Sequence, residues 1–306
     1  MAGLDTNMLD LIQCLAKNKI QDAKDAALVC LENDQTKKNQ PQVDYYKKLL
    51  KNGMVNFFDL PASMHGLINV QDVSDFEENY YYVGKVQQKA YEQIIIGTKI
   101  AEKMMYYDIN YRNSINYRNS TLIYGEPGTG KTKFAKYIAF KLGLPYAYIN
   151  FSYLLDARMG NTAKNLRKVF DFCKGQKCVL MLDEIDCIGL KRGNDSGVDG
   201  ELGRTTITLM QCLDDMVEDQ IIIAATNRID RIDVALLRRF RNKVKFVKFD
   251  KKEELAMIQK YVDSIDILEM DQELIDYSVN GHTQAETIDF LTEKIGEKIL
   301  SDITEK

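Results

Sequence analysis

The eight residues Gly-Glu-Pro-Gly-Thr-Gly-Lys-Thr at 125–132 constrain this chain more than any other stretch. They stand at a corner: Thr121-Leu122-Ile123-Tyr124 reads as a short buried strand, and Lys133 to Ala139 reads as a helix. Glycine lets the backbone wrap closely around a ligand, turning successive N–H groups inward to form a concave anion nest above a helix N-terminus. Gly125, Gly130, Lys131 and Thr132 meet the pattern G-x-x-x-x-G-K-[ST], which predicts a phosphate-binding loop.

From Thr121 onward strand and helix patterns alternate. This predicts an α/β domain with a five-stranded parallel sheet covered by helices on both faces. The strands fall at Thr121–Tyr124, Tyr146–Phe151, Cys178–Glu184, Ile221–Asn227 and Val244–Phe249, with helices at Thr162–Cys173 and Glu201–Leu213. The third strand ends in Asp183-Glu184, two carboxylates at the carboxyl edge of the sheet, where open α/β folds bind ligands. Asp183 suits Mg2+ held through its water shell, with the Thr132 hydroxyl as a direct ligand, because Mg2+ keeps several waters and takes few protein carboxylates. Glu184, one residue later, projects to another side and is suited to polarise an attacking water.

The β pattern stops after Asp250, and helical spacing takes over to Lys306. Upstream, Leu4, Met8, Leu11, Ile12 and Leu15, then Ile20, Ala23, Ala27 and Leu31, then Val43, Tyr46, Leu49 and Leu50 after Pro41, predict three short helices. Residues 53–82, with Gly53, Pro61, Gly66 and several acids, read as an irregular connector, followed by a helix over Lys85–Tyr107. The expected division is an N-terminal helical module and connector at 1–75, a nucleotide-binding large domain at 76–249, and a small helical domain at 250–306. A tandem duplication, Asn110–Ser114 and Asn116–Ser120 around Ile115, is too short for a solenoid and reads as a duplicated surface turn rather than a binding element.

Composition narrows the partners. With 306 residues the chain is about twice a typical domain. Its net charge of −4 argues against non-specific affinity for nucleic acid or anionic membranes. No apolar run approaches the ~20 residues of a membrane helix, and Asp5 and Asp10 stand where a secretory signal carries positive charge, so the expected compartment is the cytoplasm. The six cysteines form no C-x-x-C pair and are joined by only two histidines, His65 and His282; they read as reduced, mostly buried small hydrophobes rather than a zinc site.

In order and spacing, Gly125–Thr132, Val179–Glu184 and Ala224-Ala225-Thr226-Asn227 resemble the Walker A, Walker B and sensor-1 segments of the AAA family of ATPases, in its classical subgroup of the AAA+ P-loop NTPases. Ile232 to Phe240 resembles the segment that carries the family's arginine fingers, and the resemblance runs from about Tyr82 to Leu291. It implies ATP and Mg2+ as cofactors, held by Pro127, Gly128, Thr129, Gly130, Lys131, Thr132 and Asp183, with Thr132 and Asp183 at the metal. It implies Glu184, Asn227, Arg238 and Arg239 as catalytic, the two arginines reaching the neighbouring subunit's nucleotide in a ring, most often a hexamer. It also implies backbone contact with adenine around Tyr82-Val83-Gly84, and a lid at 250–306 in which Ala285 meets the nucleotide, although Gln284 replaces the family's usual glycine. His282 is not expected to be a ligand.

One departure bears on mechanism. Where ring-shaped unfoldases of the family carry an aromatic residue, a hydrophobic residue and glycine in the central pore, this chain has Arg158-Met159-Gly160. The glycine-rich stretch Lys191–Gly200 is expected as a flexible loop and a second pore element, again without an aromatic. Two function classes follow from the resemblance. The favoured one is a ring-shaped ATPase that remodels or unfolds a protein partner met by the N-terminal helices and by Arg158 and Met159. The other is an ATP-dependent DNA-associated or assembly-switch protein, with Arg158, Lys191 and Arg192 facing a polyanion.

Overall fold

A computed structural model describes residues 6–16, 20–34, 43, 47, 50, 60–106, 117–151, 161–174, 176–188, 197–216, 220–279 and 281–304. The chain divides into two compact units, Met1–Asp59 and Leu60–Lys306. In the first, helices α1 (Thr6–Ala16) and α2 (Ile20–Asn33) pack together, with Ala23 and Leu28 buried. Met8, Leu9, Ile12 and Leu15 of α1 are exposed. The third expected helix, after Pro41, lies almost entirely outside the described residues.

The second unit is built on a six-stranded sheet of β1 (Asn69–Gln71), β2 (Asn119–Tyr124), β3 (Tyr146–Asn150), β4 (Val179–Asp183), β5 (Ile221–Thr226) and β6 (Asn242–Lys245). Their order across the sheet is β1-β3-β4-β5-β2-β6. The chain leaves β2, crosses to β3 three places away, and returns through β4 and β5, so β2 ends beside a crevice of the kind that binds ligands in open α/β sheets. Helices α3 (Lys85–Tyr106), α4 (Lys131–Leu142), α5 (Thr162–Cys173), α6 (Gly197–Asp214) and the single turn α7 (Val234–Leu237) accompany the strands. Every residue of β5 is buried, as an apolar run between two parallel neighbours requires. Phe134, Ile138 and Ala139 of α4 pack with Ile123, Met181, Ile223 and Phe246 in one core. Burying each of these large side chains contributes about 1.5–3 kcal/mol.

Four expectations change. The sheet has a sixth strand, and it is mixed: β1 runs antiparallel to β3, with Asn69 opposite Tyr148. That strand comes from the stretch expected as an irregular connector, which also holds short 3-10 turns at Ala62–Met64 and Glu78–Tyr80. The second copy of the repeat is not a surface turn. Tyr117, Asn119 and Ser120 are buried, and Asn119 begins β2 two residues before the expected start. The expected loop Lys191–Gly200 ends in helix, since α6 begins at Gly197; residues 191–196, like the first repeat copy, lie outside the described residues.

After β6 come α8 (Lys251–Val262), α9 (Gln272–Tyr277) and α10 (Gln284–Thr304). Asp250 accepts from the Glu253 N–H while Glu253 reaches back to the Asp250 N–H, a reciprocal cap that fixes where α8 starts. Thr283 and Glu286 do the same for α10: the Thr283 N–H donates to Glu286 Oε2 at 2.7 Å and the Glu286 N–H donates to Thr283 Oγ1 at 3.2 Å. Met257, Ile258, Leu274 and Leu291 close a separate apolar cluster among these helices. Among the described residues no helix is long and apolar enough to cross a membrane.

Candidate active site

The turn from β2 to α4 has the backbone that its glycines allow. Gly125, Gly128 and Gly130 take φ of +154°, +79° and +78°, and Gly130 is the residue from which α4 starts. At Gly125 the close approach is to the backbone that follows β6: a Cβ there would sit 2.0 Å from the Phe246 carbonyl oxygen. Thr129 Oγ1 donates to the Glu126 carbonyl at 2.8 Å, closing the loop on itself.

Lys131 is almost buried, and its ammonium donates to the carbonyls of Gly125 at 3.0 Å and Glu126 at 2.8 Å. Burial lowers its pKa, and the charges of Asp183 and Asp186 oppose that shift. Thr132 Oγ1 donates to Asp183 Oδ2 at 2.8 Å, joining the first turn of α4 to the end of β4. Burial raises the Asp183 pKa; the hydrogen bonds from Thr132 and from the Glu184 N–H pull it back, the Glu184 charge raises it and the Lys131 charge lowers it. Two hard oxygen donors, one hydroxyl and one carboxylate, thus meet beside the phosphate loop. That set fits Mg2+, which takes few protein ligands and keeps its waters.

Glu184 takes φ +55° and ψ +40°, the one positive φ outside glycine among the described residues. For a side-chain-bearing residue such a conformation costs on the order of 1–3 kcal/mol, and it is found where function holds it. It turns the chain sharply after β4 and separates the direction of Glu184 from that of Asp183. The next acid, Asp186, accepts from Thr226 Oγ1 at 2.6 Å, and Thr226 Oγ1 accepts from the Arg228 N–H at 2.9 Å, so the ends of β4 and β5 are tied.

Pro127, Gly128, Thr129, Gly130, Lys131, Thr132, Asp183, Glu184, Asn227 and Ala285 line one cleft of about 390 Å3. The loop and α10 touch: the Ala285 N–H donates to the Gly128 carbonyl at 3.0 Å, and a Cβ on Gly128 would meet Thr283 Oγ1 at 2.8 Å. Gly84 does not line the cleft. It is buried just before α3, where a Cβ would lie 2.5 Å from the Phe249 ring and 2.8 Å from Gln87 Oε1, two residues that do line the cleft. His282 stacks on Tyr277 at 3.8 Å and lies 3.1 Å from Glu254 Oε1, a packing role.

Of the apolar end of the cleft, with Tyr82, Phe249, Met257 and Ile288, the sequence pointed only to Tyr82, through the segment Tyr82-Val83-Gly84. The run Tyr80-Tyr81-Tyr82 before Gly84 was the available signal; Met257 and Ile288 fall in the stretch after Asp250, where the sequence shows only helical spacing. Arg238 and Arg239 lie off the cleft, at the end of α7. Arg158 and Met159 lie outside the described residues.

Comparison with known proteins agrees with this geometry. Residues 121–248 match the model of the ATPase family associated with various cellular activities (AAA). An uncharacterized AAA family ATPase, y4kL, of Sinorhizobium fredii is 29% identical over 247 residues, covering 79% of this chain and 73% of that protein. The peroxisomal ATPase PEX6 of Komagataella pastoris is 38% identical over 134 residues, 42% of this chain but only 12% of its own length. The ATP-dependent zinc metalloprotease FtsH 1 of Salinibacter ruber is 37% identical over 147 residues, 46% of this chain and 21% of its own. The likeness to these last two is thus confined to a fraction of each. Residues 121–248 thus form a domain that matches the AAA family of ATPases.

Proposed function

We propose that the chain hydrolyses ATP in an oligomeric ring and uses the cycle to remodel or unfold a protein partner. The observation that carries the ATPase reading is the convergence of Lys131, Thr132, Asp183 and Glu184 at one end of a cleft whose other end is apolar and ringed by tyrosine, phenylalanine and methionine. Triphosphate lies along the loop, with N–H groups of residues 128–132 on its oxygens, and the base occupies the apolar end. Lys131 exchanges its two carbonyl partners for phosphate oxygens. Thr132 and Asp183 hold Mg2+, which when bound neutralises charge on the phosphates. Glu184 takes the proton of the attacking water, and Asn227, at the end of β5, orients that water. The turn that carries Arg238 and Arg239 brings positive charge to the nucleotide of the next subunit, where it offsets charge developing on the transferred phosphoryl group.

A protein partner fits the acidic balance of the chain and the name of the metalloprotease relative, which acts on proteins. The contact surfaces for it are the N-terminal helices, where α1 exposes Met8, Leu9, Ile12 and Leu15, and the stretch of Arg158 and Met159.

The test separates binding from chemistry. Lys131→Ala loses nucleotide affinity by more than about tenfold, whereas Glu184→Gln keeps affinity within about threefold and loses about 10² or more in turnover. Equal loss of binding in the two variants overturns the assignment. The ATP-held Glu184→Gln protein then serves to capture the partner; salt-sensitive DNA in place of a polypeptide in that capture overturns the remodelling reading.

A further inference from the structure

The two neighbouring arginines after α7 differ in what surrounds them. Arg239 is engaged through all three guanidinium nitrogens: Nη1 donates to the Ala235 carbonyl at 2.8 Å, and Nε and Nη2 donate to Asp214 Oδ2 at 3.4 and 3.3 Å. Asp214, at the end of α6, is held in turn from β2, because Arg118 Nη1 donates to its other oxygen at 2.9 Å and Arg118 Nη2 to its carbonyl at 3.3 Å. The backbone is pinned as well. Ser120 Oγ donates to the Arg239 carbonyl and accepts from the Arg241 N–H, both at 3.1 Å, while the Phe240 side chain between them is buried and the Arg241 guanidinium lies 4.2 Å over the Tyr117 ring. Arg238 is the contrast: it is exposed, and its side chain has no partner among the described residues.

An arginine whose three nitrogens are already spent inside its own subunit must break those bonds before it reaches a phosphate elsewhere, whereas an exposed arginine has only its rotamer freedom to lose. Resting on the interface reading above, we infer that Asp214 is a positioning residue. It holds Arg239 within the subunit, and this fixes the turn that presents Arg238, and Arg238 alone, to the neighbouring nucleotide. Tyr117 to Ser120, within the second copy of the sequence repeat, is the brace behind this clamp.

The experiment uses full-length chains, steady-state ATP hydrolysis, and mixing with Lys131→Ala subunits, whose own pocket is disabled but whose arginines are intact. Arg238→Ala lowers kcat by about 10³-fold, the scale of an arginine finger. Asp214→Asn lowers kcat about tenfold with KM within about twofold, and adds nothing when placed in an Arg238→Ala chain. Asp214→Glu, which keeps the carboxylate, recovers most of the rate. Mixing supplies the readout that a merely structural role does not move: hydrolysis by Asp214→Asn subunits recovers when Lys131→Ala subunits are added, because the defect lies on the side that donates Arg238.

Three results overturn the inference: Asp214→Asn as fast as or faster than wild type, losses from Asp214→Asn and Arg238→Ala that multiply, or recovery by mixing for Arg238→Ala but not for Asp214→Asn. No recovery even for Arg238→Ala, in oligomers shown to contain both chains, instead sinks the interface reading and the inference with it. Thermal unfolding of each variant accompanies the rates, and a kcat loss in Asp214→Asn that Asp214→Glu shares at an equal drop in Tm also counts against positioning.

Discussion

Gly125 and Gly130 open and close the same loop, yet a methyl group meets different surroundings at each. At Gly130 nothing lies within 4 Å of the added carbon, so Gly130→Ala costs only the left-handed backbone penalty, about 1–2 kcal/mol. At Gly125 the added carbon runs into the Phe246 carbonyl, which is itself bound to β2 because the Phe246 N–H donates to the Tyr124 carbonyl at 2.8 Å. Gly125→Ala is expected to cost several kcal/mol, roughly 3 or more, because no flexible side chain can yield. Urea denaturation of the two variants checks this; equal losses would contradict the packing argument. At this scale the polar half of the site was legible, since the loop residues and the pair Asp183-Glu184 are each contiguous in the chain and carry their chemistry in their side chains. The apolar half was legible only at Tyr82. Phe249, Met257 and Ile288 come from separate stretches and look like ordinary core residues until the fold brings them to one cleft. Nor does any residue type announce the left-handed backbone of Glu184.

Between elements, the seam of α3 on β2 is set by one small residue and one polar one. Asn119 donates through Nδ2 to the Ile94 carbonyl and to Thr98 Oγ1, each at 3.1 Å, and a Cβ on Gly97 would lie 2.8 Å from Asn119 Oδ1. In an exposed helix Gly→Ala adds about 1 kcal/mol of stability. Here Gly97→Ala is expected to lower stability instead, because Asn119 is buried and cannot swing aside. Adding Asn119→Ala to Gly97→Ala relieves the clash, so the two changes together cost less than their sum in denaturant titrations. Strands β2 to β6 were readable as apolar runs or as sequels to them, with ends displaced by at most four residues. The three residues of β1 were not, because Asn-Val-Gln has no periodicity and becomes a strand only by pairing with β3. The repeat misled for a related reason: tyrosine, arginine, asparagine and serine are surface types, and here each meets a specific partner elsewhere in the fold.

For the whole molecule, the division between Asp59 and Leu60 makes β1, Val73 and Phe76 part of the nucleotide-binding unit. A chain starting at Leu60 is expected to fold and bind ATP within about threefold of the full chain, while one starting at Phe76 loses the edge strand and the burial of Val73, about 1.5–3 kcal/mol for the side chain, and melts roughly 5 °C or more lower. Calorimetry and nucleotide titration on the two truncations decide between them, and equal melting temperatures would remove β1 from the fold's stability.

The contact between the Gly128 carbonyl and the Ala285 N–H has a mechanical side. It grips α10 at its first residues, and α10 then runs for 21 residues, about 32 Å at about 1.5 Å per residue. Such a helix is a lever with its fulcrum at the phosphate loop: a tilt of about 10° there carries the far end through about 5 Å. That far end bears Ile299, Leu300 and Ile303, all exposed. A small tilt at the phosphate loop is thereby converted by length alone into a larger displacement of an apolar tip remote from the cleft.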